Sequence, residues 1–432
     1  MKKELNPHEV LKHGIHLFLN NRSQELKSLF EACLQQAPSS ETGWILKAAY
    51  HSSISELTKV FDVIDDSSKF GLNKIILVGK IGRYFLDLKN YKHLIKLKSK
   101  AVSRQDYPIW VYFCGCGHMM TGDEDSAFNC FDNFIPLLLP LVRKEGIKIF
   151  LNDPSLNIIL RQGKLCTGPD EVKRRLHNFK KNKMRFSFKI QDPIQTSEPL
   201  FFSACNGIYF KHFGKEFSRR LLDTRPKCSL YIHVSKPLSS TKLLIEKLKD
   251  CYRERINFGT TIRPLYETTT YFTCERFLVA EKLLNVTNRP IVSLDLDVCL
   301  TKDAPDFHSL ANYADLAWYD TSRDEPASVC QASVIMWKNN SRTKVFLEAL
   351  QAFCFTGELE NPSYISWMLD QAALYSVRNY FRKYRPADVT FKDLHATGLS
   401  FEQSLETFVT DAEKIQYKQI ASASESDIIR LI

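Results

Sequence analysis

From residue 199 onward the chain alternates short apolar runs with helix-spaced stretches, and this alternation limits its fold more than any other feature. "PLFFSACNG", "CSLYIHVSKP", "RINFGTT" and "RPIVSLDLD" read as strands about 25 to 35 residues apart. Each gap carries a helical pattern. Phe210, Phe213, Phe217 and Leu221 keep one face apolar in the first, and helices are expected at about 239–252 and 270–285. Strands joined through helices need right-handed crossovers, which predicts an α/β fold with a mainly parallel sheet covered on both faces. Ligands bind such sheets beyond the carboxyl ends of the strands.

The fourth of these strands runs into Asp295 and Asp297 in "RPIVSLDLDVCLTKD". Side chains alternate along a strand, so both carboxylates are expected on one side, with Leu296 turned into the core. Two like charges this close are unfavourable unless a cation or proton relieves them. Oxygen donors with few neighbouring His or Cys suit Mg²⁺ or Mn²⁺, which keep positions open for substrate phosphates. The alternative is a pair of solvated aspartates opening a loop.

Two helices place a charge on an apolar stripe. Phe272, Arg276, Val279 and Leu283 are spaced 4, 3 and 4, so Arg276 faces inward and needs an anion. A diphosphate gripped through paired hydrogen bonds is one candidate, and a nearby carboxylate is the other. In "SYISWMLDQAALYSV", Trp367, Asp370, Leu374 and Val377 are spaced 3, 4 and 3. Asp370 is thus a carboxylate on an apolar face, either a general base or acceptor-hydroxyl ligand or a buried structural aspartate.

"TTYFTCERFLVAEKLLNVTNRPIVSLDLDVCLTKD" followed by "WMLDQAALYSV" resembles the GT-A, nucleotide-diphospho-sugar transferase type of glycosyltransferase, over roughly residues 199–400. The shared order is an arginine helix, a strand ending in Asp-x-Asp, and a downstream Asp-Gln helix. The resemblance implies a Rossmann-like GT-A sheet and transfer of a sugar from a nucleotide-diphospho-sugar donor, a UDP-sugar being favoured, to a hydroxyl. The acceptor would be a glycan, a lipid-linked sugar or a protein. It places the nucleotide against Ala204, Cys205, Asn206 and Tyr209, with an asparagine at 206 where aspartate is frequent. Asp295 and Asp297 would hold Mn²⁺ or Mg²⁺, with His395 of "DLHATG" as a third ligand. Arg276 and Asp295 would meet the diphosphate, while Asp370 and Gln371 would serve the acceptor side. "CQASVIMWK" at 330–338 would be a strand near the acceptor pocket, with Gln331 or Ala332 where glycine is more usual.

Residues 1–141 lack strand-like alternation and show helical spacing broken by polar turns. Leu26, Phe30, Cys33 and Pro38 are spaced 4, 3 and 5, and Trp44 follows six residues later. That spacing resembles the tetratricopeptide repeat. Carried forward by 34 residues the frame reaches Val60 and Leu94, and after 33 more Ala127, with Trp110 one residue out of phase. The resemblance implies stacked helical hairpins presenting a concave surface to a protein or peptide partner; a generic helical bundle is the other reading.

"CGCGH" at 114–118 lacks a second Cys or His cluster at metal-binding spacing, so small residues packing two helices closely are the favoured reading over zinc. Residues 142–198 read as a connector with a basic run, "VKRRLHNFKKNKMRFSFK", either a solvated linker or helix face, or an anion-binding surface. The chain is expected to divide into repeats (1–141), connector (142–198) and transferase domain (199–432).

At 432 residues, two domains are the default. A formal net charge of +10 favours anionic partners. No pattern of aromatic platforms accompanies it, so nucleic acid is not expected. The 12 cysteines are mostly single and inside apolar runs, as in reduced cytoplasmic proteins. No segment approaches the ~18 apolar residues of a membrane span, and "MKKELNPHEVLKHG" has no signal-peptide core. The expectation is a cytoplasmic protein that could lie peripheral to a membrane. Two rivals share the Asp-x-Asp strand: a phosphatase of the haloacid-dehalogenase type, with Asp295 as nucleophile and Asp297 as general acid, and a non-enzymatic repeat scaffold.

Overall fold

The computed structural model describes residues 6–145, 168–186, 188, 190–191, 193–194, 196, 198–262, 264, 269–320, 329–355, 369–398, 405–407 and 410. They fall into two compact units, one holding residues 6–145 and the other the described residues from 168 onward.

The first unit is helical: α1 (Pro7–Leu19), α2 (Ser23–Gln36), α3 (Glu41–Ser53), α4 (Leu57–Ser67), α5 (Lys74–Asp87), α6 (Tyr91–Lys100), α7 (Tyr107–Met120) and α8 (Glu124–Glu145). The odd helices begin 34, 33 and 33 residues apart, and the even ones 34, 34 and 33. One turn repeats between them. Asn21, Ser55, Lys89 and Gly122 all hold a positive φ, at 56°, 62°, 54° and 81°. The next residue in each case, Arg22, Glu56, Asn90 or Asp123, donates its N–H to the carbonyl of Leu17, His51, Phe85 or His118. This is the Schellman ending, which satisfies carbonyls the helix leaves open.

The same register sets the core. Leu26, Val60, Leu94 and Ala127 each take the fourth position of an even helix, and each is fully buried. Trp44 and Trp110 both take the fourth position of an odd helix. The one-residue offset of Trp110 in the sequence frame thus leaves its place within the helix unchanged.

The second unit holds α9 (Pro169–Asn182), β1 (Leu200–Asn206), α10 (Gly207–Thr224), β2 (Ser229–Ser235), α11 (Ser239–Tyr252), β3 (Ile256–Thr261), α12 (Thr269–Val286), β4 (Ile291–Leu294), β5 (Val298–Leu300), β6 (Leu316–Asp320), β7 (Cys330–Trp337), α13 (Ser341–Phe355), α14 (Leu369–Tyr384), β8 (Phe391–Asp393) and β9 (Leu405–Thr407). Among the described residues, seven strands form one sheet in the order β3-β2-β1-β4-β7-β6-β8. β3, β2, β1 and β4 run parallel, β7 is antiparallel to both β4 and β6, and β8 is parallel to β6. The strand order steps outward from β1 in both directions, so the ends of β1 and β4 flank the place where the topology reverses. β5 and β9 form a separate antiparallel ribbon.

Phe210, Phe213, Phe217 and Leu221 of α10 are all buried in the core on one side of the sheet. Each such side chain contributes about 1.5–3 kcal/mol through burial. Arg289 fastens the lead into β1 by donating to the carbonyls of Ile194, Thr196 and Glu198 and to Ser229 Oγ.

Part of the expected connector is a layer of this unit. The α9 helix, which carries much of the basic run, buries Val172, Arg175 and Phe179. Arg175 Nη1 donates to the Phe353 carbonyl at 3.2 Å while its guanidinium lies over the Phe353 ring. Phe179 stacks on Phe355, and Lys183 pairs with Glu281 at 2.5 Å. Basic residues dominate the composition of the run, while a three-residue inward stripe decides how the helix packs. Among the described residues, no helix is long and apolar enough to cross a membrane.

Candidate functional site

Three segments far apart in the sequence meet around one guanidinium. Arg276 lies in α12 with its residue surface 7% exposed. Its Nη2 is 2.7 Å from Asp295 Oδ1 and 3.7 Å from Asp370 Oδ2. Its Nη1 donates to the Ala332 carbonyl of β7 and its Nε to the Thr273 carbonyl, both at 2.8 Å. All three nitrogens therefore have protein partners. The carboxylate alternative for the inward-facing arginine is the one the fold contains, and Arg276 acts as a bolt between α12, β7, the end of β4 and α14.

Asp295 and Asp297 do not lie within the strand as expected. β4 ends at Leu294, and the pair occupies the turn into β5. The Asp295 N–H donates to the Ser333 carbonyl at 2.9 Å, which extends the pairing with β7 by one residue before the chain turns. Leu296 does point into the core, 2% exposed. The two carboxylates acquire different neighbours: Asp295 faces Arg276, and Asp297 accepts a hydrogen bond from Tyr209. Burial raises the Asp295 pKa, although 28% of the side chain stays accessible; Arg276 opposes the rise, and Asp297 and Asp370 add to it. Burial likewise pushes the Tyr209 phenol upward, reinforced by Asp297 and then Asp295.

Tyr209 reaches this place because α10 starts directly at the end of β1. Asn206 caps that helix, its Oδ1 accepting the Tyr209 N–H at 2.8 Å. Gly207 follows, where a Cβ would stand 2.5 Å from the Lys236 carbonyl, so only glycine lets the turn pass β2's exit. Of the residues expected against a nucleotide, Ala204 and Asn206 share one side of β1 and are partly open. Cys205 alternates to the other side, 5% exposed in the core with its Sγ directed at the His233 carbonyl. Its side chain is a packing group, a consequence of strand parity that a motif read as consecutive letters overlooks.

Asp370 lies in the first turn of α14, 5% exposed, with Oδ1 accepting the Gln371 N–H at 3.0 Å and Oδ2 toward Arg276. Trp367, expected on the same stripe, lies outside the described residues. His395 follows β8, where its Nδ1 is 3.1 Å from Asp393 and its ring meets Tyr319 edge-on. Among the described residues, the ligand atoms of Asp295, Asp297 and His395 are not gathered into one cluster.

Glu275, beside Arg276, was missed by sequence reasoning. It is fully buried, as is His233. Ser235 Oγ donates to Glu275 Oε2 at 2.6 Å, His233 Nε2 is 3.8 Å from Glu275 Oε1, and the same nitrogen is 2.9 Å from Thr261 Oγ1. Ser235 and Thr261 are the last residues of β2 and β3, so this second polar cluster also sits at the carboxyl ends of the strands. Burial holds Glu275 up at about 7, partly countered by the Ser235 hydroxyl, and burial pushes His233 down to about 3. An acid inside the apolar run "YFTCERFLV" was the available clue.

The divalent cation implied by Asp-x-Asp fits the donor chemistry of the turn. The donors are carboxylate oxygens: Asp295 and Asp297 stand two residues apart on the turn, and the Asp295 side chain keeps 28% of its surface accessible although Arg276 stands 2.7 Å away. Such a set suits Mg²⁺ or Mn²⁺ over softer ions.

No protein-family description matches this sequence, and no curated protein matches it. Among solved structures, the chain is similar to the glycosyltransferase GlyE of Streptococcus pneumoniae, at 15% identity and a TM-score of 0.35 over 51% of this chain and 56% of that one. It is similar to the galactosyltransferase LgtC at 12% identity and a TM-score of 0.31, over 52% of this chain and 95% of that one. A nucleoside-diphosphate-sugar pyrophosphorylase from Vibrio cholerae gives 8% identity and a TM-score of 0.33, over 51% and 99%. The chain spans about half the length of GlyE.

Proposed function

We propose that the second unit transfers a sugar from a nucleotide-diphospho-sugar, with a UDP-sugar favoured, to a hydroxyl acceptor, and that the first unit is a tetratricopeptide-like array binding a protein or peptide partner. The observation that carries the transferase reading is the meeting of Arg276, Asp295 and Asp370 in one buried ion cluster at the carboxyl end of β4. Spacing singled out Arg276 and Asp370 as charges on apolar stripes, and Asp295 stood out as a carboxylate where an apolar strand ends.

Asp295 and Asp297 would hold a divalent ion, which when bound stabilises charge on a departing diphosphate as a Lewis acid. Arg276 keeps the Asp295 carboxylate in place and holds Asp370 within the same field. That makes it a positioning residue, not an open clamp on phosphate. Asp370, with Oδ1 on the Gln371 N–H, would take the acceptor hydroxyl's proton at Oδ2. Tyr209 and the partly open Ala204 and Asn206 would line the nucleotide side. The acceptor would be a glycan, a lipid-linked sugar or a protein.

Calorimetric titration of UDP and GDP, with and without Mn²⁺, into the wild type and Asp295→Ala/Asp297→Ala tests the reading. Metal-dependent binding that disappears in the double variant supports it, and the preferred base narrows the donor. Absence of binding by either nucleotide would overturn it and leave the phosphatase or scaffold.

A further inference from the structure

The helical unit contains a group of side chains that the proposed transfer does not use. On α7, Cys114 and His118 are four residues apart and so share a helix face. On α8, Cys130 faces them. The two sulfurs are 3.7 Å apart, and one ligand atom from each of the three residues lies within 4.8 Å of the others. Both thiols are nearly sealed from solvent, at 1% and 3% exposure. His118 is partly open and directs Nδ1 at Asp123 Oδ2, 3.1 Å away in the turn joining the two helices. Lys98 of α6 places its ammonium 3.6 Å from Cys130 Sγ.

We propose that Cys114, His118 and Cys130 form a zinc site that staples α7 to α8. A tetrahedral zinc ion with Zn–S bonds of ~2.3 Å sets two bound sulfurs about 3.8 Å apart. The observed 3.7 Å is the edge such an ion requires. A ligating imidazole characteristically gives its other nitrogen to a carboxylate, which fixes the ring and its tautomer. Asp123 stands in that relation to His118, so Nε2 is the nitrogen presented to the ion. Lys98 adds an N–H donor to one thiolate, a favourable second contact for a sulfur carrying charge. Two thiolates, one imidazole and a water in the fourth position, reached from the open side of His118, complete the site.

Simple packing explains the buried thiols but not why an ammonium and an imidazole held by a carboxylate stand beside them. Cys116 supplies a control within the same motif: it is buried, two residues from Cys114, and outside the group. The site also explains why "CGCGH" looks incomplete in sequence. The third ligand comes from the next helix, 16 residues beyond Cys114, and only the hairpin brings it back. A metal staple across α7 and α8 strengthens that hairpin without a larger core.

The full chain, reduced and stripped of metal with a chelator, should be titrated with Co²⁺ in the absence of nucleotide. One equivalent is expected to produce thiolate-to-cobalt charge-transfer absorption and tetrahedral ligand-field bands, both displaced by Zn²⁺. The Asp295–Asp297 turn offers only oxygen donors and gives no thiolate band, so the two sites are distinguishable. Cys130→Ser is expected to abolish the band, Cys116→Ser to keep it, and Asp123→Asn to weaken binding about 10–100-fold. Should Cys130→Ser unfold, the partly exposed His118→Ala, checked by circular dichroism, is expected to lose tight binding. In the wild type, Zn²⁺ should protect Cys114 and Cys130 from alkylation. A folded wild type without a thiolate band, or a band that survives Cys130→Ser, would overturn the site.

Discussion

Arg276 Nη2 stands 2.7 Å from Asp295 Oδ1, tying the middle of a helix to the turn that follows the fourth strand. The same nitrogen reaches Asp370 at 3.7 Å, so one guanidinium serves a buried carboxylate and a partly open one. Removing it leaves both without their counter-charge, an effect much larger than that of a surface pair.

Arg276→Ala is therefore expected to destabilise the protein by about 3–5 kcal/mol, read from denaturant unfolding. Arg276→Lys should recover part of that loss but not all, since a single ammonium cannot meet Asp295, the Ala332 carbonyl and the Thr273 carbonyl together. A loss below ~1 kcal/mol for the alanine variant would show that the carboxylates find other partners.

Asp370→Asn probes the proposed chemistry. If the carboxylate takes the acceptor's proton, the rate should fall by about 10²–10⁴ while metal-dependent nucleotide binding stays unchanged. Equal loss of nucleotide binding would assign Asp370 to holding the site together.

The Glu275–His233 cluster gives a pH prediction with two opposing signs. Glu275, held at about 7 against an ordinary 4.5, keeps a proton that the unfolded chain releases, so its favourable contribution is present below pH 4.5 and is lost as pH rises through 7. His233, pushed from 6.5 to about 3, stays neutral where the unfolded chain is protonated, so stability falls as pH drops from 6.5 toward 3. Glu275→Gln leaves only the histidine slope. The variant should match the wild type near pH 4 and exceed it by on the order of 3 kcal/mol at pH 8, measured by thermal unfolding across pH. No gain at pH 8 would mean that the carboxylate is ionised without cost.

The repeated hairpin turn can be tested by exchanging its residues. Lys89 holds φ 54° where Gly122 holds 81° in the equivalent turn. Lys89→Gly removes the steric cost of the left-handed region, and a net gain of about 0.5–1 kcal/mol is expected after the added chain entropy. Gly122→Ala should lose about 1 kcal/mol, with no clash to complicate it because nothing lies within 4 Å of the added Cβ. The same sign for both substitutions would contradict a shared turn.

Local pattern settled a great deal of this protein. Alternation and helical spacing fixed the order of β1 to β4 and the helices between them, since each element's period is set by its own backbone. They also placed Arg276 and Asp370 on apolar surfaces, because a stripe is visible along one chain. The 34-residue register showed in Leu26, Val60 and Leu94 for the same reason. Partnership was a different matter. That Arg276 answers to Asp295 and Asp370, that Asp297 turns to Tyr209, that α9 docks through Arg175, and that Cys130 returns to Cys114 depend on contacts between segments whose spacing in sequence carries no record of their distance in space. Where the strand stops was decided in the same way: β4 ends at Leu294, one further bond from Asp295 to the Ser333 carbonyl of β7 follows, and the chain then turns, which puts the two aspartates on a turn and gives each its own neighbour.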